Sequence, residues 1–412
     1  MQSPYEITST EGETIDLLSG FTCKSSLVEA GKVLQKASNE FFNSEIANNA
    51  PRLIYLRRAE ENVMLKSLAR FLTDQYEDEV SESNLILTGG CSSAFIYLWT
   101  QLLPRNRKII VASPTYQLLL NTLIYDLKYE VESIPEDGDG LKLDLVEEIL
   151  KKEHQMHGLD EDFSCGIYIV PTFSNPTGMI YSEKFCKIIT ELAAKYNALV
   201  VTDDVYNLLY VSDHPPKRLL SFETEFDWLW LFYFLFYNYS ATRGHIVSSG
   251  SFSKYLSPSL RLGWIEAHSP LINRIKKWGI FQSANCLGQL SGLIVATAID
   301  NGDAFKHIRY ERANIKSRLE TARSILKEKL PSEVKVSPSP GGYFIWISLP
   351  KNILLGEIQK RANEKNVLFL PGLIFTNLPN QNFLRISVAR SDNLSRLKEG
   401  VEILCNIIND LK

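Results

Sequence analysis

Residues 167–206, IYIVPTFSNPTGMIYSEKFCKIITELAAKYNALVVTDDVY, decide the fold of this chain. Two short apolar runs rich in β-branched residues, 167–171 and 198–202, enclose a stretch with helical periodicity. There, Phe185, Ile189 and Leu192 recur at the spacing of a helix face, and Ser182 is a candidate N-cap. A strand, a helix and a second strand in this order predict two parallel strands joined by a crossover helix.

Similar apolar runs lie on both sides of this unit and extend the prediction to a whole domain. They cover residues 85–88, 108–112, 245–248 and 262–266. Because helical stretches separate most of these runs, we predict an α/β fold. Its large domain has a mostly parallel sheet covered by helices on both faces.

The last third of the chain has a different pattern. A long helical stretch at 303–330 precedes strand-like runs at 343–347 and 383–388, and an amphipathic helix closes the chain. This order predicts a smaller α+β domain beside the large one. We assign residues 46–300 to the large domain, and residues 1–45 together with 301–412 to the small domain.

Composition and charge exclude several classes of protein. The 412 residues carry a net charge of −4, which gives no electrostatic argument for a nucleic-acid partner. Six scattered cysteines without a C-x-x-C pair argue against a disulfide framework or a zinc ribbon, so we expect no metal site. No signal peptide is visible, and no apolar run reaches the roughly 18 residues that span a bilayer. We therefore expect a cytoplasmic protein with no membrane partner.

The run Ser251-Phe-Ser-Lys254 carries the first candidate for catalysis. A lysine that follows an apolar run can be buried, and a buried lysine loses its charge easily and becomes a nucleophilic amine. The alternative is a lysine in a surface loop. Ser-x-x-Lys is also the acyl-serine motif of penicillin-binding proteins, and Ser391-Asp-Asn393 matches their second motif. However, Pro258 would break the helix which that class requires, and Ser391 reads as the N-cap of the last helix.

Three further motifs follow predicted strands. Asn175 lies in the run SNPTG, Asp203 and Tyr206 lie in DDVY, and a glycine pair precedes Cys91 at a predicted strand–helix turn. Ligands bind at the carboxyl ends of parallel strands, and glycines before a helix present backbone N–H groups to a phosphate. Each motif alone is also typical of an ordinary turn or helix cap. Of the two neighbouring aspartates, we select Asp203, because side chains alternate along a strand and Asp204 would point to the opposite side.

Taken together and in this order, the motifs resemble the fold-type-I pyridoxal-phosphate enzymes, and specifically the class I/II aminotransferases. The runs SNPTG, DDVY, SFSK, RLGW, GGYFIW and FLRIS carry the resemblance, which extends from about Thr14 to the end. The branch it resembles most is that of the 2-aminoadipate and kynurenine aminotransferases. The resemblance implies the cofactor pyridoxal 5′-phosphate and a ping-pong transfer of an amino group from an amino acid to a 2-oxo acid such as 2-oxoglutarate. The donor would be aromatic or 2-aminoadipate. Two alternatives to transamination remain. Pyridoxal-phosphate-dependent lyases and synthases have the same cofactor contacts, and a module that binds the cofactor without turnover would have them too.

The resemblance also implies a role for each candidate residue. Lys254 would hold the cofactor as an aldimine and move the substrate proton, and Asp203 would pair with the pyridine nitrogen. Asn175 and Tyr206 would bind the ring oxygen. The remaining cofactor contacts would come from the stacking Tyr116 and from a phosphate site made of Gly90, Cys91, Ser92, Ser251, Ser253 and Arg261.

On the substrate side, Arg385 would bind the α-carboxylate, with Gly20 and Asn175 nearby. Tyr55 matches the residue that reaches the phosphate of the neighbouring subunit, so the resemblance implies a homodimer. The glycine expected after Tyr55 is missing, and an aromatic insertion at 226–239 departs from the family pattern. The insertion could be a buried element, a contact with a partner or a membrane, or a translated intron.

Overall fold

A computed structural model describes residues 14–53, 58–157, 162–224, 244–284, 288–378 and 382–412. Two predictions from the sequence, Tyr55 as a contact to a partner subunit and the aromatic insertion at 226–239, fall outside these residues.

The described strands are short. They are β1 Ile15–Asp16, β2 Leu85–Thr88, β3 Lys108–Ser113, β4 Glu130–Pro135, β5 Cys165–Ile169, β6 Ala198–Asp203, β7 Ile246–Ser251, β8 Gly263–Ala267, β9 Lys335–Val336, β10 Phe344–Ser348, β11 Val367–Leu368, β12 Leu370–Pro371 and β13 Phe383–Ser387.

The described helices range from one turn to 27 residues. They are α1 Lys24–Ala47, α2 Arg58–Tyr76, α3 Cys91–Leu102, α4 Gln117–Asn121, α5 Leu143–His157, α6 Glu183–Lys195, α7 Ser221–Thr224, α8 Ser269–Ile275, α9 Gly279–Ala284, α10 Gln289–Asp300, α11 Asp303–Lys329, α12 Leu355–Glu364 and α13 Leu394–Asp410. Among them, none combines the length and the apolar character that a membrane crossing would need.

Within the described ranges, seven strands form the main sheet in the order β2-β8-β7-β6-β5-β3-β4. The pairs β4–β3, β3–β5, β5–β6 and β6–β7 are parallel, and β8 is antiparallel to both of its neighbours, β7 and β2. The parallel strands therefore end along the same edge, which is where α/β proteins place their ligands.

Alternation along the strands shows that both faces of this sheet are covered. In β3, Ile109 and Val111 pack into one apolar cluster, while Ile110 and Ala112 pack into a second cluster on the other face. All four side chains are buried. This two-sided burial explains why the strands read as continuous apolar runs in the sequence, and it confirms the predicted α/β fold.

The remaining described strands form a second, smaller set. An antiparallel sheet has the order β12-β13-β10-β9, and the parallel pair β1–β11 joins the beginning of the described chain to its last third. The backbone N–H of Ser387 donates to the carbonyl of Leu17 at 2.8 Å, so the segment after β1 also borders β13. This arrangement brings Arg385 on β13 to the edge of the main sheet.

The apolar pattern of the sequence predicted helix α6 correctly but missed strand β4. The helix predicted at 182–196 is α6, and its cap is Ser182, whose Oγ accepts a hydrogen bond from the backbone N–H of Phe185 at 3.1 Å. Strand β4 was not predicted. It is an edge strand whose residues are mostly half-buried or exposed, and it therefore lacks an apolar run.

Candidate active site

A cavity of about 250 Å³ opens at the carboxyl edge of the main sheet. The loops after β2, β3, β5, β6 and β7 reach it, and so do β10, β13 and the segment before α1. The predicted site residues that line it are Gly20, Cys91, Ser92, Tyr116, Asn175, Asp203, Tyr206, Ser251, Ser253, Lys254, Arg261 and Arg385. Residues from distant parts of the chain thus meet in one place.

Lys254 lies directly after β7, at the end of the short 3-10 helix Phe252–Lys254. Its Nζ donates to the carbonyl oxygen of Gly20 at 2.9 Å. Burial lowers the pKa of Lys254 to about 8, the attraction of Asp203 opposes this shift, and the positive charge of Arg385 adds to it. A lysine with this pKa is substantially neutral in mildly alkaline solution and can act as a nucleophile.

Asp203 is the last residue of β6 and Asp204 follows it, and their side chains have different hydrogen-bond partners. Oδ2 of Asp203 accepts a hydrogen bond from the Tyr168 hydroxyl at 2.9 Å, and its Oδ1 has no hydrogen-bond partner among the described residues. Oδ2 of Asp204 instead accepts from Thr202 at 2.6 Å and from Ser248, away from the cavity. Burial raises the pKa of Asp203 to about 7, while the Tyr168 hydrogen bond opposes this shift. A cation at the open oxygen would keep this carboxylate ionised.

The first turn of α3 and the 3-10 helix that carries Lys254 both line the cavity. Gly90 is the N-cap of α3 with φ +94°, and it supplies no side-chain cap, so the first N–H groups of the helix are available to an anion. The positive φ of Gly90 strains any residue with a Cβ, and such a Cβ would also lie 3.1 Å from the Arg261 guanidinium. Gly90 itself borders the cavity without lining it. Ser251 Oγ donates to Ser253 Oγ at 2.9 Å beside it.

Arg385 also lines the cavity and is almost completely buried. Its guanidinium donates to Asn175 Oδ1 at 2.7 Å and to the carbonyl oxygen of Leu18 at 2.7 Å. The same group lies 4.0 Å from the centre of the Phe344 ring. A buried guanidinium that borders a cavity is a natural site for a carboxylate, which it can bind through two parallel hydrogen bonds.

Two tyrosines complete the predicted set. The ring of Tyr206 packs edge-on against Tyr343 and Phe344, with centres 5.6 and 5.5 Å apart. Burial raises the pKa of Tyr206 well above its usual value, so its hydroxyl keeps its proton and can donate a hydrogen bond. Tyr116 is half-buried and also lines the cavity.

Several residues of the cavity were not predicted. The wall also contains Phe21, Thr22, Phe95, Leu118, Val205, Pro258 and Phe344. Behind it, Tyr168 holds Asp203, and the Tyr343 hydroxyl donates to the carbonyl oxygen of Lys254. The run GGYFIW, which carried part of the resemblance, contains both Tyr343 and Phe344. Tyr168 had a weaker signal, since it is a buried polar residue one strand away from Asp203.

The donor and acceptor groups of this cavity fit pyridoxal phosphate. Asp203 offers a buried carboxylate oxygen for a protonated ring nitrogen, and Lys254 offers an amine of lowered pKa for its aldehyde. The N-terminus of α3, the two serines and Arg261 offer donors for its phosphate. These three sets lie around one cavity.

Comparison with known proteins identifies the family. The sequence pattern of the family "Aminotransferase class I and II" matches residues 15–403. The aromatic-amino-acid aminotransferase 1 of Thermococcus litoralis is 28% identical over 348 residues, which are 84% of this chain and 77% of that protein. The 2-aminoadipate transaminase of Thermus thermophilus is 26% identical over 335 residues, 81% of this chain and 77% of that protein. A crystal structure of Pyrococcus horikoshii kynurenine aminotransferase superposes with a TM-score of 0.78 at 24% identity, over 97% of this chain and 92% of that one.

The chain therefore belongs to the class I and II aminotransferases. The family match confirms the resemblance that the sequence motifs indicated, including fold type I and the cofactor pyridoxal phosphate. The protein is a pyridoxal-phosphate-dependent aminotransferase.

Proposed function

We propose that the protein transfers the amino group of an amino acid, held through its α-carboxylate by Arg385, to the cofactor at Lys254, and from there to a 2-oxo acid. The observation that carries this proposal is the single cavity bordered by Lys254, Asp203 and Arg385. When bound, pyridoxal phosphate supplies an electron-accepting ring that stabilises negative charge at the substrate α-carbon.

The residues of the chain would divide the remaining work among them. Lys254 would bind the cofactor aldehyde, and its Nζ would be the base that removes the proton from the substrate α-carbon. Asp203 keeps the ring nitrogen protonated, and Tyr168 holds Asp203 in place through its 2.9 Å hydrogen bond. Asn175 and Tyr206 donate to the ring oxygen while Asn175 also orients Arg385.

The cofactor phosphate would be held by Gly90, Cys91, Ser92, Ser251, Ser253 and Arg261. The face of the cofactor ring would be covered by Tyr116. All of these residues except Gly90 line the cavity, and Gly90 is the N-cap of α3, so their donors and positions support these assignments.

Visible absorption spectroscopy tests the proposed reaction. The protein is loaded with pyridoxal phosphate, and the cofactor band is followed after addition of each member of an amino-acid panel. We expect at least one amino acid to convert the band, and a 2-oxo acid to restore it. The Lys254→Ala variant is the control and should show no such conversion. A wild-type band that no amino acid changes would contradict transamination and favour a lyase or a binding module.

We further propose a homodimer in which Tyr55 of each subunit completes the other subunit's site, as the resemblance implies. Mixing two inactive variants tests this proposal. Lys254→Ala and Tyr55→Ala subunits, refolded together, would form one intact site in each mixed dimer, so we expect activity above that of either variant alone. Activity equal to the sum of the two separate variants would contradict shared sites.

A further inference from the structure

The backbone carbonyl of Lys254 is held by side chains from other parts of the chain. The Tyr343 hydroxyl donates to this carbonyl, and Thr22 Oγ1 lies 3.4 Å from it. Thr22 Oγ1 also lies 3.2 Å from the Tyr343 hydroxyl. Burial raises the pKa of Tyr343 above its usual value, so this hydroxyl keeps its proton and remains a donor. The backbone of Lys254 is therefore supported from outside its own segment.

Tyr343 is itself firmly placed. It directly precedes β10, and its backbone carbonyl accepts from the N–H of Val388 at 2.9 Å. The neighbouring Gly342 donates its N–H to the carbonyl of Leu209 at 2.9 Å. The side chain of Tyr343 is almost completely buried, and its ring packs edge-on against Tyr206. Backbone hydrogen bonds on both sides and a packed ring leave the hydroxyl little freedom, so it is a fixed point against which another segment can be held.

Lys254 needs such a fixed point because of the work assigned to it. Under the proposed function, its amine must reach both the cofactor aldehyde and the substrate α-carbon. The amine lies at the end of a flexible four-carbon stem, and its Nζ donates to the carbonyl of Gly20 at 2.9 Å. The backbone of Lys254 belongs to a 3-10 helix of three residues, a short element with weak internal hydrogen bonds. Accurate placement of the amine therefore depends on what holds this backbone.

We propose that Tyr343 is a positioning residue for Lys254, whose hydroxyl holds the Lys254 carbonyl so that Nζ stays within reach of its reaction partners. The part that concerns the substrate α-carbon rests on the proposed function, whereas the part that concerns capture of the cofactor does not. Without the hydroxyl, the Lys254 carbonyl would depend on its longer contact with Thr22. The 3-10 helix would then relax, and Nζ would spend less time in place.

Cofactor capture by the apo protein tests the proposal without turnover. The variant is Tyr343→Phe, which removes the hydroxyl and keeps the ring against Tyr206. Saturating pyridoxal phosphate is mixed with the apo protein, and the absorbance of the bound cofactor is followed by stopped flow. We expect capture to be at least about threefold slower in the variant than in the wild type, because the amine is less often in position. Capture at the wild-type rate would overturn the proposal.

Tyr129→Phe is the matched control. The Tyr129 side chain is also buried, and its hydroxyl donates to the carbonyls of Trp99 and Leu103 at 2.6 and 2.8 Å. Each substitution removes one buried hydroxyl that holds backbone carbonyls, so urea denaturation should show comparable losses of stability. Only Tyr343→Phe should slow capture. Equal slowing in both variants would indicate a general loss of stability and would overturn the positioning role.

Thr22→Val is a second variant of the same contact. It keeps the shape of the side chain and removes the hydroxyl that lies 3.2 Å from that of Tyr343. It should slow capture less than Tyr343→Phe does, because the direct donor to the Lys254 carbonyl remains. If Tyr343→Phe does not fold, this variant carries the test, and wild-type capture in Thr22→Val would overturn the proposal.

Conversion of the cofactor band by an amino acid separates this inference from the proposed function. In Tyr343→Phe, the maximal rate of conversion should fall about tenfold. The amino-acid concentration at half the maximal rate should stay unchanged, since Arg385 still binds the α-carboxylate. A higher half-saturating concentration with an unchanged maximal rate would overturn the positioning role. If no amino acid converts the wild-type band, the proposed function fails, and slower capture in Tyr343→Phe would still support the inference.

Discussion

At the scale of single residues, burial has a stronger effect on Lys254 and Asp203 than their attraction for each other. The pKa of Lys254 is lowered to about 8 and that of Asp203 is raised to about 7, although each charge favours the other. The two side chains therefore change protonation state close to the pH range in which most enzymes work. A cation beside Asp203 would restore its ordinary acidity, which links cofactor binding to the charge of the site.

The lowered pKa of Lys254 predicts how cofactor incorporation depends on pH. The neutral amine is the nucleophile, and its fraction increases as pH rises through about 8. The rate at which the apo protein captures pyridoxal phosphate should therefore increase from pH 6 to pH 9 and level off above it. Stopped-flow absorbance at limiting cofactor measures this rate. A free lysine with its usual pKa near 10.4 would instead give a rate that still rises tenfold per pH unit at pH 9.

Arg385 gives a second prediction at this scale. In Arg385→Ala, the substrate carboxylate loses its buried charged partner, so kcat/KM should fall by about 2–5 kcal/mol in transition-state stabilisation, with an increase in KM. Steady-state kinetics with the best donor from the spectroscopic panel measure the change. Arg385→Lys keeps the charge but lacks the planar pair of donors, and it should recover only part of the loss.

Arg361→Ala is the control for this variant, because Arg361 is a surface residue paired with Glu357 on α12. It should leave kcat/KM unchanged. An Arg385→Ala protein with wild-type kcat/KM would rule out the proposed role in carboxylate binding.

The residue scale is also where the sequence was most informative about the site. Lys254, Asp203 and Asn175 belong to short motifs with fixed spacing after predicted strands, so one chain was enough to select them. Phe21 and Tyr168 belong to no such motif, and the signal at Tyr168 is only that of a polar residue within an apolar run. Their place at the site depends on hydrogen bonds and packing between segments far apart in the chain, and nothing in their own neighbourhood indicates those partners.

At the scale of secondary-structure elements, the β7–β8 pair positions Lys254. Gly250 of β7 lies directly opposite Trp264 of β8, and a Cβ at Gly250 would lie 2.2 Å from the Trp264 ring. The indole thus covers the glycine backbone four residues before Lys254. A side chain at this position would force the two strands apart just where β7 leads into the site.

Gly250→Ala should therefore destabilise the protein by about 1–3 kcal/mol, the usual cost of overpacking a close contact. Urea denaturation measures the change. The matched control is Gly31→Ala in α1, where an added Cβ meets nothing within 4 Å and Gly31 is exposed. That substitution should stabilise the protein by about 0.5–1 kcal/mol, because alanine favours a helix over glycine. The same sign in both variants would contradict this account of β7 and β8.

Element types were predicted better than element ends. Strand β2 coincides with the apolar run 85–88, since all four of its residues are buried. The last helix was expected to be capped by Ser391, but the cap is Asn393, whose Oδ1 accepts from the N–H of Ser395 at 2.8 Å. Ser391 instead donates to the carbonyl of Asn393. Both side chains are good caps, so the sequence alone did not distinguish them.

At the scale of the whole molecule, a buried ionic network joins segments that are distant in the sequence. Arg218 donates to Glu266 on β8 and to Asp78 after α2, and its guanidinium lies 4.2 Å from the centre of the Tyr76 ring. Arg218 and Glu266 are almost fully buried. Removing one partner of such a pair leaves a buried charge without compensation, whereas removing both does not.

Arg218→Met should therefore lower the free energy of unfolding by about 3–5 kcal/mol, and the double variant Arg218→Met/Glu266→Leu should recover a large part of it. Chemical denaturation of the single and double variants measures this coupling. Lys32→Met, at the exposed Glu29–Lys32 pair, is the control and should change stability by less than about 1 kcal/mol. A double variant no more stable than Arg218→Met would mean that packing, not charge, explains the loss.

We propose, as the sequence suggests, that residues 46–300 form one domain and that the two ends of the chain form the other. The pairing of β1 with β11 and the contact of Leu17 with Ser387 support this division. The sequence predicted the elements of each part because their apolar patterns are local. It could not predict the pairing of β1 with β11, since that depends on which distant edge is free.

The hydrogen bond between Leu18 and Arg385 joins residues 367 positions apart in the chain. During synthesis, residues 18–22 leave the ribosome long before Arg385 has been made. The nascent chain must therefore carry Leu18, Gly20 and Thr22 without their bonding partners while the large sheet assembles. A chain truncated before residue 383 would hold Lys254 but lack both Arg385 and strand β13, which carries it. The site can thus be complete only after residue 385 has been synthesised.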